Sequence, residues 1–374
     1  MSVKTRSAIV REVPGKWEVV ELDLDEPGTG EVLVRTVAAG LCHSDDHITT
    51  GDLPVKTMPM CGGHEGSGVV EAVGPEVNGI AVGDHVVFTY IPICGRCRWC
   101  SSGLQALCDL GSGTLHGSRP GDPTSFRMHL DGAPVGQNSG VSTFSEYTTV
   151  DARSLVVVDK DLPLEVAALV GCGVLTGWGA AVNSAEVRPG DVVVVMGIGG
   201  IGINAVQGAV HAGAAEVIAV DPVEFKRNTA LALGATSAFA DISEAVQYAR
   251  SITNGQGADS VIVTVGVTVG EHVAQGFSAI RKAGTLVVVG LGPKSARELP
   301  ISSTELVLYH KRIQGSLFGG AKPLSDIPRA LDLYRKGILK LDELITTRYP
   351  LDDIVQGYDD MHGGRNIRGL VTFS

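Results

Sequence analysis

The chain of 374 residues is long enough for two domains with separate hydrophobic cores. Its formal net charge of −11, without a lysine- and arginine-rich patch interleaved with aromatics, argues against nucleic acid as a partner. No apolar run reaches the roughly 20 residues that a membrane span needs, and no leader-like segment opens the sequence, so we expect a cytoplasmic protein with no membrane partner.

Residues 1 to 173 predict a mostly β domain. Two runs rich in β-branched residues, 31 to 37 and 84 to 90, are bounded by turn-forming residues and have the length of strands. Between residues 109 and 143 no periodic element is visible and Gly, Pro and Ser are frequent, which predicts a long loop.

Cysteine and histidine residues far apart in this region are candidates for a metal site. Cys42, His64 and Cys172 would supply two thiolates and one imidazole, the three protein ligands that a catalytic zinc with one open position needs. Each residue alone is weak support, because a lone buried cysteine is usually a small hydrophobic residue. Only the fold can bring these three residues together.

Four further cysteines, Cys94, Cys97, Cys100 and Cys108, lie in one short segment. Two Cys-x-x-Cys steps that share a central cysteine, followed by a fourth thiol, match the donor set of a tetrahedral zinc. Four thiolates leave no open coordination position, so the predicted role is structural. Gly95 favours a loop over the helix start that a thioredoxin-like redox pair requires, and unrelated free thiols are the other alternative.

A dinucleotide-binding fingerprint follows in the middle of the chain. An apolar run over residues 191 to 196 predicts a buried parallel strand, and a helix-compatible segment comes after a glycine-rich turn. The next strand, residues 216 to 220, ends at Asp221, where an acid would bind the adenosine ribose. Asp221 therefore predicts NAD rather than NADP, the alternative being a helix-capping role. The turn residues expected to contact the cofactor are Gly197, Gly199, Gly200 and Gly202.

Strand-like and helix-like segments alternate further along the chain. Strands are predicted over residues 260 to 265 and 285 to 289, and helices over residues 223 to 233, 241 to 252 and 270 to 282. The fold class is therefore α/β, with a doubly wound parallel sheet of the Rossmann type at residues 174 to 316 beside the mostly β domain.

These motifs, in this order, resemble the zinc-containing medium-chain alcohol dehydrogenases over essentially the whole chain. The resemblance rests on the stretches from Cys42 to His47, from Gly63 to Gly68 and from Gly171 to Gly173, together with the four-cysteine segment and the glycine turn. It implies a GroES-like catalytic domain at residues 1 to 173 with a structural zinc lobe at about 94 to 108, an NAD-binding domain at 174 to 316, and a return to the catalytic domain at 317 to 374.

A narrower similarity points to one branch of this family. Residues 143 to 147, 315 to 320 and 365 to 371 are most similar to the actinobacterial nicotinoproteins. Members of that branch hold NAD tightly and are assayed with N,N-dimethyl-4-nitrosoaniline (NDMA) as electron acceptor. The resemblance therefore implies a cofactor that is tightly bound.

The resemblance also implies roles around the metal. Ser44 would take the alcohol proton and pass it through the cofactor ribose to His47 at the surface. Asp45 would hydrogen-bond His64, and Glu65 would lie close behind the zinc as a transient ligand or a nearby charge. The alternatives are helix-capping roles for Ser44 and Asp45 and a merely solvated His47. Cys61 matches no ligand position and is interpreted as a structural thiol.

On the cofactor side the resemblance implies further contacts to NAD, from His43, Thr176, Ile201, Lys226 and Arg368. His43 occupies the position where many relatives carry an arginine. A weaker phosphate contact would follow, which conflicts with very tight retention of the cofactor.

Leu53 and Tyr90 map to the walls of an apolar pocket that suits a primary aliphatic or aromatic alcohol. The expected reaction moves a hydride between this alcohol and NAD and gives an aldehyde, with one catalytic and one structural zinc ion per chain. Leu53 replaces the aspartate of glutathione-dependent formaldehyde dehydrogenases, so a formaldehyde dehydrogenase that depends on mycothiol or glutathione is the weaker alternative. A non-enzymatic zinc- and nucleotide-binding regulatory protein is a further one.

The family also predicts self-association. A homodimer or homotetramer is expected, paired through an edge strand at residues 297 to 301 or 311 to 316.

Overall fold

The structure is a computed structural model that describes residues 2 to 293 and 295 to 373. The chain divides into two units. The first unit comprises the residues up to Cys172, Lys322–Gly337 and the segment from Leu341 onward, and the second comprises Gly173–Ala321 and Ile338–Lys340. The chain therefore returns to the first unit at Lys322 rather than at residue 317, because the turn before it is held in the second unit, where Asn183 Nδ2 donates to the carbonyl of Gly319 (2.9 Å).

The first unit begins with short strands that form a closed barrel and a second, seven-stranded sheet. In chain order these strands are β1 (Ser2–Val10), β2 (Glu18–Asp25), β3 (Glu31–Gly40), β4 (Met60–Cys61), β5 (Gly66–Val73), β6 (His85–Phe88), β7 (Met128–Leu130), β8 (Ala133–Gln137), β9 (Tyr147–Asp151) and β10 (Leu155–Val158). The barrel order is β1-β2-β7-β8-β4. Alternate residues of the strands, among them Ile9, Leu22 and Val135, fill its core.

The prediction of a structureless loop over residues 109 to 143 is wrong. This segment contains β7, β8 and the 3-10 turns Asp109–His116 and Asn138–Gly140. Strands of three and five residues are too short for an alternating pattern to be visible in sequence. They form because β2 and β4 supply their hydrogen-bond partners from distant parts of the chain.

In the part of the chain that the structure describes, the first unit contains three short helices before Cys172. They are α1 (His43–Thr50), α2 (Arg98–Ser101) and α3 (Leu164–Ala168), with 3-10 turns at Gln105–Leu107, Ala152–Ser154 and Leu169–Gly171. Helix α1 begins directly after Cys42 and carries Asp45 and Asp46 in its first turn. The positive end of the helix dipole stabilises carboxylates at this position. It ends at Gly51.

The second unit contains a parallel six-stranded sheet of order β13-β12-β11-β14-β15-β16. Its strands are β11 (Val192–Met196), β12 (Glu216–Val220), β13 (Ser237–Phe239), β14 (Ala258–Val263), β15 (Ile280–Val288) and β16 (Arg312–Gly315). The order reverses between β11 and β14, which is the topological switch point of a doubly wound sheet. The prediction of a Rossmann-type sheet and a GroES-like domain in one chain is confirmed.

The second unit contains six helices among its described residues, and all but the first connect strands of the sheet. They are α4 (Gly173–Gly179), α5 (Gly200–His211), α6 (Glu224–Ala232), α7 (Ile242–Ile252), α8 (Gly270–Ala279) and α9 (Ser303–Leu308), with a π turn at Ala180–Ser184 and a 3-10 turn at Phe318–Gly320. The apolar faces of α7 and α8 pack on the sheet through residues such as Ala245, Val273 and Phe277. Of the two predicted edge segments, 311 to 316 contains β16, and 297 to 301 contains no strand.

The last part of the chain completes the first unit. It contains α10 (Pro323–Arg335), β17 (Ile345–Pro350), α11 (Ile354–His362) and β18 (Arg368–Thr372), with 3-10 turns at Asp342–Leu344 and Leu351–Asp353. Strand β18 pairs antiparallel with β3 and parallel with the edge strand β17, so this last segment is an inner strand of the seven-stranded sheet.

Across the described residues, no single helix has the length and apolar character to cross a membrane. One bent pair, Leu164–Gly171 with Gly173–Ser184, meets the criterion on length and composition alone.

Candidate active site and metal centres

The three scattered candidate ligands lie together in the first unit. Cys42 directly precedes α1, His64 lies between β4 and β5, and Cys172 follows α3 and its 3-10 extension. Their donor atoms all lie within 4.8 Å of one another, and His64 Nε2 is 3.2 Å from Cys172 Sγ. All three side chains are buried. The fold thus assembles a donor group of two sulfurs and one nitrogen from distant segments.

The electrostatics of this group favour a bound cation. A hydrogen bond between the two thiols holds the pKa of Cys42 well below its usual range and raises the pKa of Cys172. Burial alone would lower the pKa of His64, but the carboxylate of Asp45 raises it well above its usual value. A metal ion would replace the proton that the two sulfurs share, and a donor set of thiolates and imidazole suits zinc.

The four clustered cysteines form a second donor group, whose sulfurs also lie within 4.8 Å of one another. Backbone N–H groups of the same segment approach the sulfurs: Cys97 N is 3.3 Å from Cys94 Sγ, and Cys94 N is 3.4 Å from Cys108 Sγ. Such N–H groups lower the pKa of Cys94 to about 6, whereas burial raises that of Cys100 to about 12. The Cys94–Cys100 sulfur separation of 4.0 Å is close to the ~3.8 Å edge of a tetrahedral zinc–sulfur unit.

Asp45, which is fully buried, lies directly behind His64. Its Oδ2 is 2.9 Å from His64 Nδ1, which is ion-pair distance, although the N–H does not point straight at the oxygen. Its Oδ1 accepts hydrogen bonds from Gly63 N (2.8 Å) and from Asn138 Nδ2 (2.7 Å). Sequence analysis missed Asn138 because this residue belongs to the segment that was expected to be a loop.

Gly63 allows this approach because no side chain would fit there. Its φ is +86°, and a Cβ atom at this position would lie 2.5 Å from the backbone nitrogen of Phe144. Any other residue would push the loop after β8 away from His64.

Glu65 and Arg368 form a buried pair in the first unit. The Nη2 group of Arg368 contacts Oε1 of Glu65, and both side chains are withdrawn from solvent. Arg368 begins β18, whose pairing with β3 brings the end of the chain to the metal ligands. The Nε–H of Arg368 has no hydrogen-bond partner within the described residues, so one buried donor is available to an anionic group.

Ser44 and His47 both lie on α1, but the expectation that His47 is at the surface is wrong. Ser44 Oγ is 3.6 Å from Cys42 Sγ, whereas His47 is only 3% exposed. The turn after α1 folds back so that Leu53 N donates to the carbonyl of His47 (3.0 Å). This turn places Asp52 Oδ2 at 3.3 Å from His47 Nδ1, and the side chain of Asp52 is 29% exposed. The group that faces solvent is therefore Asp52, which sequence analysis did not identify.

Three candidates of the first unit remain: Tyr90, Leu53 and His43. The Tyr90 ring meets the imidazole of His64 edge-on, with ring centroids 5.4 Å apart. Leu53 is partly buried against the apolar cluster that contains Ile48. Burial lowers the pKa of His43, so its imidazole carries no proton charge at neutral pH.

The glycine turn of the second unit leaves space next to the start of a helix. Gly197 has a φ of +88°, Gly199 lies just before α5, and Gly200 and Ile201 form its first turn. A Cβ atom at Gly202 would lie 1.9 Å from the carbonyl oxygen of Gly197, whereas one at Gly199 would meet nothing within 4 Å. The turn is therefore close-packed on its inner side and open on the other, as a phosphate-binding helix start requires.

Asp221 lies at the end of β12, next to this turn. Its Oδ2 accepts from Ile198 N (2.8 Å) and its Oδ1 accepts from Val223 N (2.9 Å), so each oxygen keeps a lone pair for a ribose hydroxyl. Thr176 Oγ1, on α4, is buried with no hydrogen-bond partner in the described part of the chain. Lys226 lies in the first turn of α6. The open turn, the anchored acid and the unpartnered hydroxyl fit a dinucleotide.

Comparison with known proteins identifies the family. The alcohol dehydrogenase GroES-like domain matches residues 28–160, and the zinc-binding dehydrogenase domain matches residues 200–336. The chain is 50% identical over 372 residues to the NDMA-dependent alcohol dehydrogenase of Amycolatopsis methanolica, with 100% of both chains covered. It is 45% identical over 372 residues to alcohol dehydrogenase B of Mycobacterium tuberculosis, covering 100% of this chain and 99% of the relative.

A solved structure is similar over the same extent. The benzyl alcohol dehydrogenase of Acinetobacter calcoaceticus superposes with a TM-score of 0.91 at 31% identity, covering 100% of both chains. The resemblance found in the sequence is confirmed. The chain belongs to the zinc-containing medium-chain alcohol dehydrogenases, and it is an oxidoreductase whose cofactors are zinc and a nicotinamide dinucleotide.

Proposed function

We propose that this enzyme oxidises a primary aliphatic or aromatic alcohol to the aldehyde, with NAD as the hydride acceptor. The observation that carries the proposal is the buried donor group of Cys42, His64 and Cys172. Three protein ligands leave a catalytic zinc one position for substrate, whereas the four-cysteine lobe leaves none. Zinc held there supplies a Lewis acid that lowers the pKa of an alcohol hydroxyl. The names of the relatives support alcohol as the substrate class.

The proton of the alcohol needs a path out of this buried site. Ser44, next to the ligand Cys42, is the proposed first acceptor, and His47 lies one helical turn further along α1. Because His47 is buried, the path is proposed to end at Asp52, whose carboxylate contacts the imidazole and reaches solvent. Histidine suits the middle of such a path because its two ring nitrogens can accept and donate a proton.

Glu65 and Arg368 are proposed to balance charge behind the metal. The carboxylate of Glu65 would add negative charge close to two thiolates, and the guanidinium of Arg368 offsets it at contact distance. The free Nε–H of Arg368 is the proposed donor to a cofactor phosphate. His43, uncharged at neutral pH, would add only a weak phosphate contact.

Asp221 supports NAD over NADP. A carboxylate held by two backbone N–H groups suits the ribose hydroxyls and would repel a 2′-phosphate. The contacts proposed for the rest of the dinucleotide come from Lys226, Thr176 and the glycine turn. Tight retention of NAD is proposed from the NDMA-dependent relative, which shares half of its sequence with this chain.

The enzyme acts on small molecules, and we propose that it does so as a cytoplasmic homodimer or homotetramer. Strand β16 (Arg312–Gly315) is the last strand in the order of its sheet and is largely exposed. An exposed edge strand can pair with the same strand of a second copy about a two-fold axis.

The test is the zinc and nicotinamide content of desalted protein, followed by turnover assays. We expect two zinc ions and nearly one NAD(H) per chain, with benzyl alcohol oxidised when NDMA is the acceptor. The desalted protein could instead hold two zinc ions and no nucleotide, and oxidise alcohol only with added NAD. That result would support the alcohol dehydrogenase activity and contradict tight binding of NAD. Oxidation of formaldehyde only in the presence of mycothiol or glutathione would replace the alcohol by a thiol adduct, which the apolar Leu53 disfavours.

A further inference from the structure

The loop after β8 is hydrogen-bonded to the chain segment that precedes His64. Ser142 Oγ donates to the carbonyl of Cys61 (2.8 Å), and Thr143 N donates to the carbonyl of Gly63 (3.1 Å). Ser142 Oγ also accepts from the backbone nitrogen of Asn138 (2.9 Å). The position of Asn138 is therefore tied to the backbone that carries His64.

Asn138 supplies one of the few donors to a carboxylate that has no access to water. Asp45 has 0% exposure and Asn138 has 4%. The 2.7 Å bond from Asn138 Nδ2 and the 2.8 Å bond from Gly63 N both reach Asp45 Oδ1, which leaves Oδ2 facing His64 Nδ1 at 2.9 Å. A buried carboxylate without such donors is costly, so the two N–H groups decide how Asp45 is oriented.

The amide of Asn138 can be oriented in only one way. A carboxylate is a pure acceptor, so the NH2 side must face Asp45. The oxygen then turns the other way, where it accepts from Ser139 Oγ at 3.1 Å. A side chain of the same shape that lacked the donor would place an acceptor against the carboxylate of Asp45.

We propose that Asn138 is a positioning residue of the catalytic zinc site. By holding Asp45, it keeps the imidazole of His64 with the proton on Nδ1 and the lone pair of Nε2 directed to the metal. Groups that orient a metal-bound histidine contribute to metal affinity although they do not touch the metal. The inference rests on the proposed role of His64 as a zinc ligand.

The test compares Asn138→Asp with Gln137→Glu in the zinc-loaded enzyme. Both changes replace a buried amide by a carboxylate at neighbouring positions that are each 4% exposed, but Gln137 Nε2 donates to Thr148 Oγ1 (3.1 Å) and the carbonyl of Thr149 (3.2 Å) and not to Asp45. Zinc release to a chelator is followed by a colorimetric indicator. The kinetic phase of zinc release that is missing in the Cys42→Ser variant belongs to the catalytic site. The other phase belongs to the four-cysteine lobe and is an internal reference.

We expect Asn138→Asp to accelerate release from the catalytic site about tenfold and to leave the lobe phase unchanged. Gln137→Glu should change neither phase by more than a factor of about two. Equal release from the catalytic site in Asn138→Asp and the wild type would overturn the inference. Equal acceleration in both variants would also overturn it, since any buried carboxylate would then have the same effect.

A second variant keeps the proposal testable if Asn138→Asp does not fold. Asn138→Ala removes the donor without adding charge and leaves space that a water molecule can enter. We expect about threefold faster release and a changed visible spectrum when cobalt replaces the catalytic zinc, because the ligand field follows the orientation of His64. Wild-type release rate and spectrum in Asn138→Ala would refute the role of Asn138.

Failure of the proposed function is distinguishable from failure of this inference. Wild-type enzyme that binds two zinc ions but oxidises no alcohol would overturn the function alone. Active wild-type enzyme with unchanged zinc release in both Asn138 variants would overturn the inference alone.

Discussion

Two cysteine-rich groups in the first unit have similar donor chemistry but different origins. The four thiols of the lobe come from one segment, residues 94 to 108, and backbone N–H groups of that segment contact the sulfurs. The donors around His64 come from three separate segments, and their polar contacts are side chains such as Asp45. The first group is partly exposed and the second is fully buried.

The contrast separates a role in stability from a role in chemistry. Four thiolates close a metal site, so the lobe can only hold chain segments together. Three donors with an anionic residue behind them leave the metal able to bind and polarise a substrate. Changes in one group should therefore affect folding, and changes in the other should affect turnover.

The largest expected effect comes from Cys42→Ser. The variant should keep the lobe zinc, lose the catalytic zinc and lose at least about 10³-fold in alcohol turnover, since Lewis-acid stabilisation amounts to several kcal/mol. Zinc content by atomic absorption and steady-state kinetics measure both. Cys61→Ser is the matched control, because Cys61 is an equally buried thiol outside both groups. If Cys42→Ser retains two zinc ions and full activity, Cys42 has no role as a ligand of a catalytic zinc.

The opposite pattern is expected for Cys97→Ser in the lobe. Zinc content should fall from two to one, and the thermal unfolding midpoint should fall, because a structural zinc contributes directly to folding. Turnover per folded chain should stay within about twofold of the wild type. Calorimetry and active-site titration with NAD provide the two readouts. Loss of turnover at an unchanged midpoint would mean that the lobe takes part in the chemistry.

A smaller effect is expected for Asp52→Asn on the proposed proton path. We expect kcat to fall about tenfold, less than for a first proton acceptor, because the group lies at the end of the path. Small buffers such as imidazole should restore part of the rate, which a change in packing would not explain. Asp46→Asn is the control, since Asp46 contacts the exposed His362 instead (2.8 Å). If small buffers do not restore the rate of Asp52→Asn, the proton path does not end at Asp52.

The smallest expected effect is an order of reaction among the thiols of chelator-treated protein. The pKa of Cys94 is lowered to about 6, so this thiol is already ionised at neutral pH, and its alkylation by iodoacetamide should slow only below pH ~6. Burial raises the pKa of Cys61 to about 12, so Cys61 should stay unmodified while the protein is folded. Peptide mass spectrometry gives the order, and early modification of Cys61 would contradict it.

The sequence by itself determined those features whose physical cause is local. The spacing of Cys94, Cys97, Cys100 and Cys108 defines a zinc lobe because one short segment supplies all donors. The predicted strand at residues 216 to 220 has the bounds of β12, since a buried parallel strand is a continuous apolar run between turns. The glycine turn at residues 197 to 202 and Asp221 could be predicted for the same reason.

Features that depend on contacts between distant residues could not be predicted from the sequence. Strands β7 and β8 exist only because β2 and β4 pair with them, so a segment without visible periodicity closes a barrel. The burial of His47 depends on how the turn with Asp52 folds back. The bond between Asn138 and Asp45 joins residues 93 positions apart. Side-chain orientation and burial depend on the packed chain, so only the tertiary structure could show which polar residues lie behind the metal ligands.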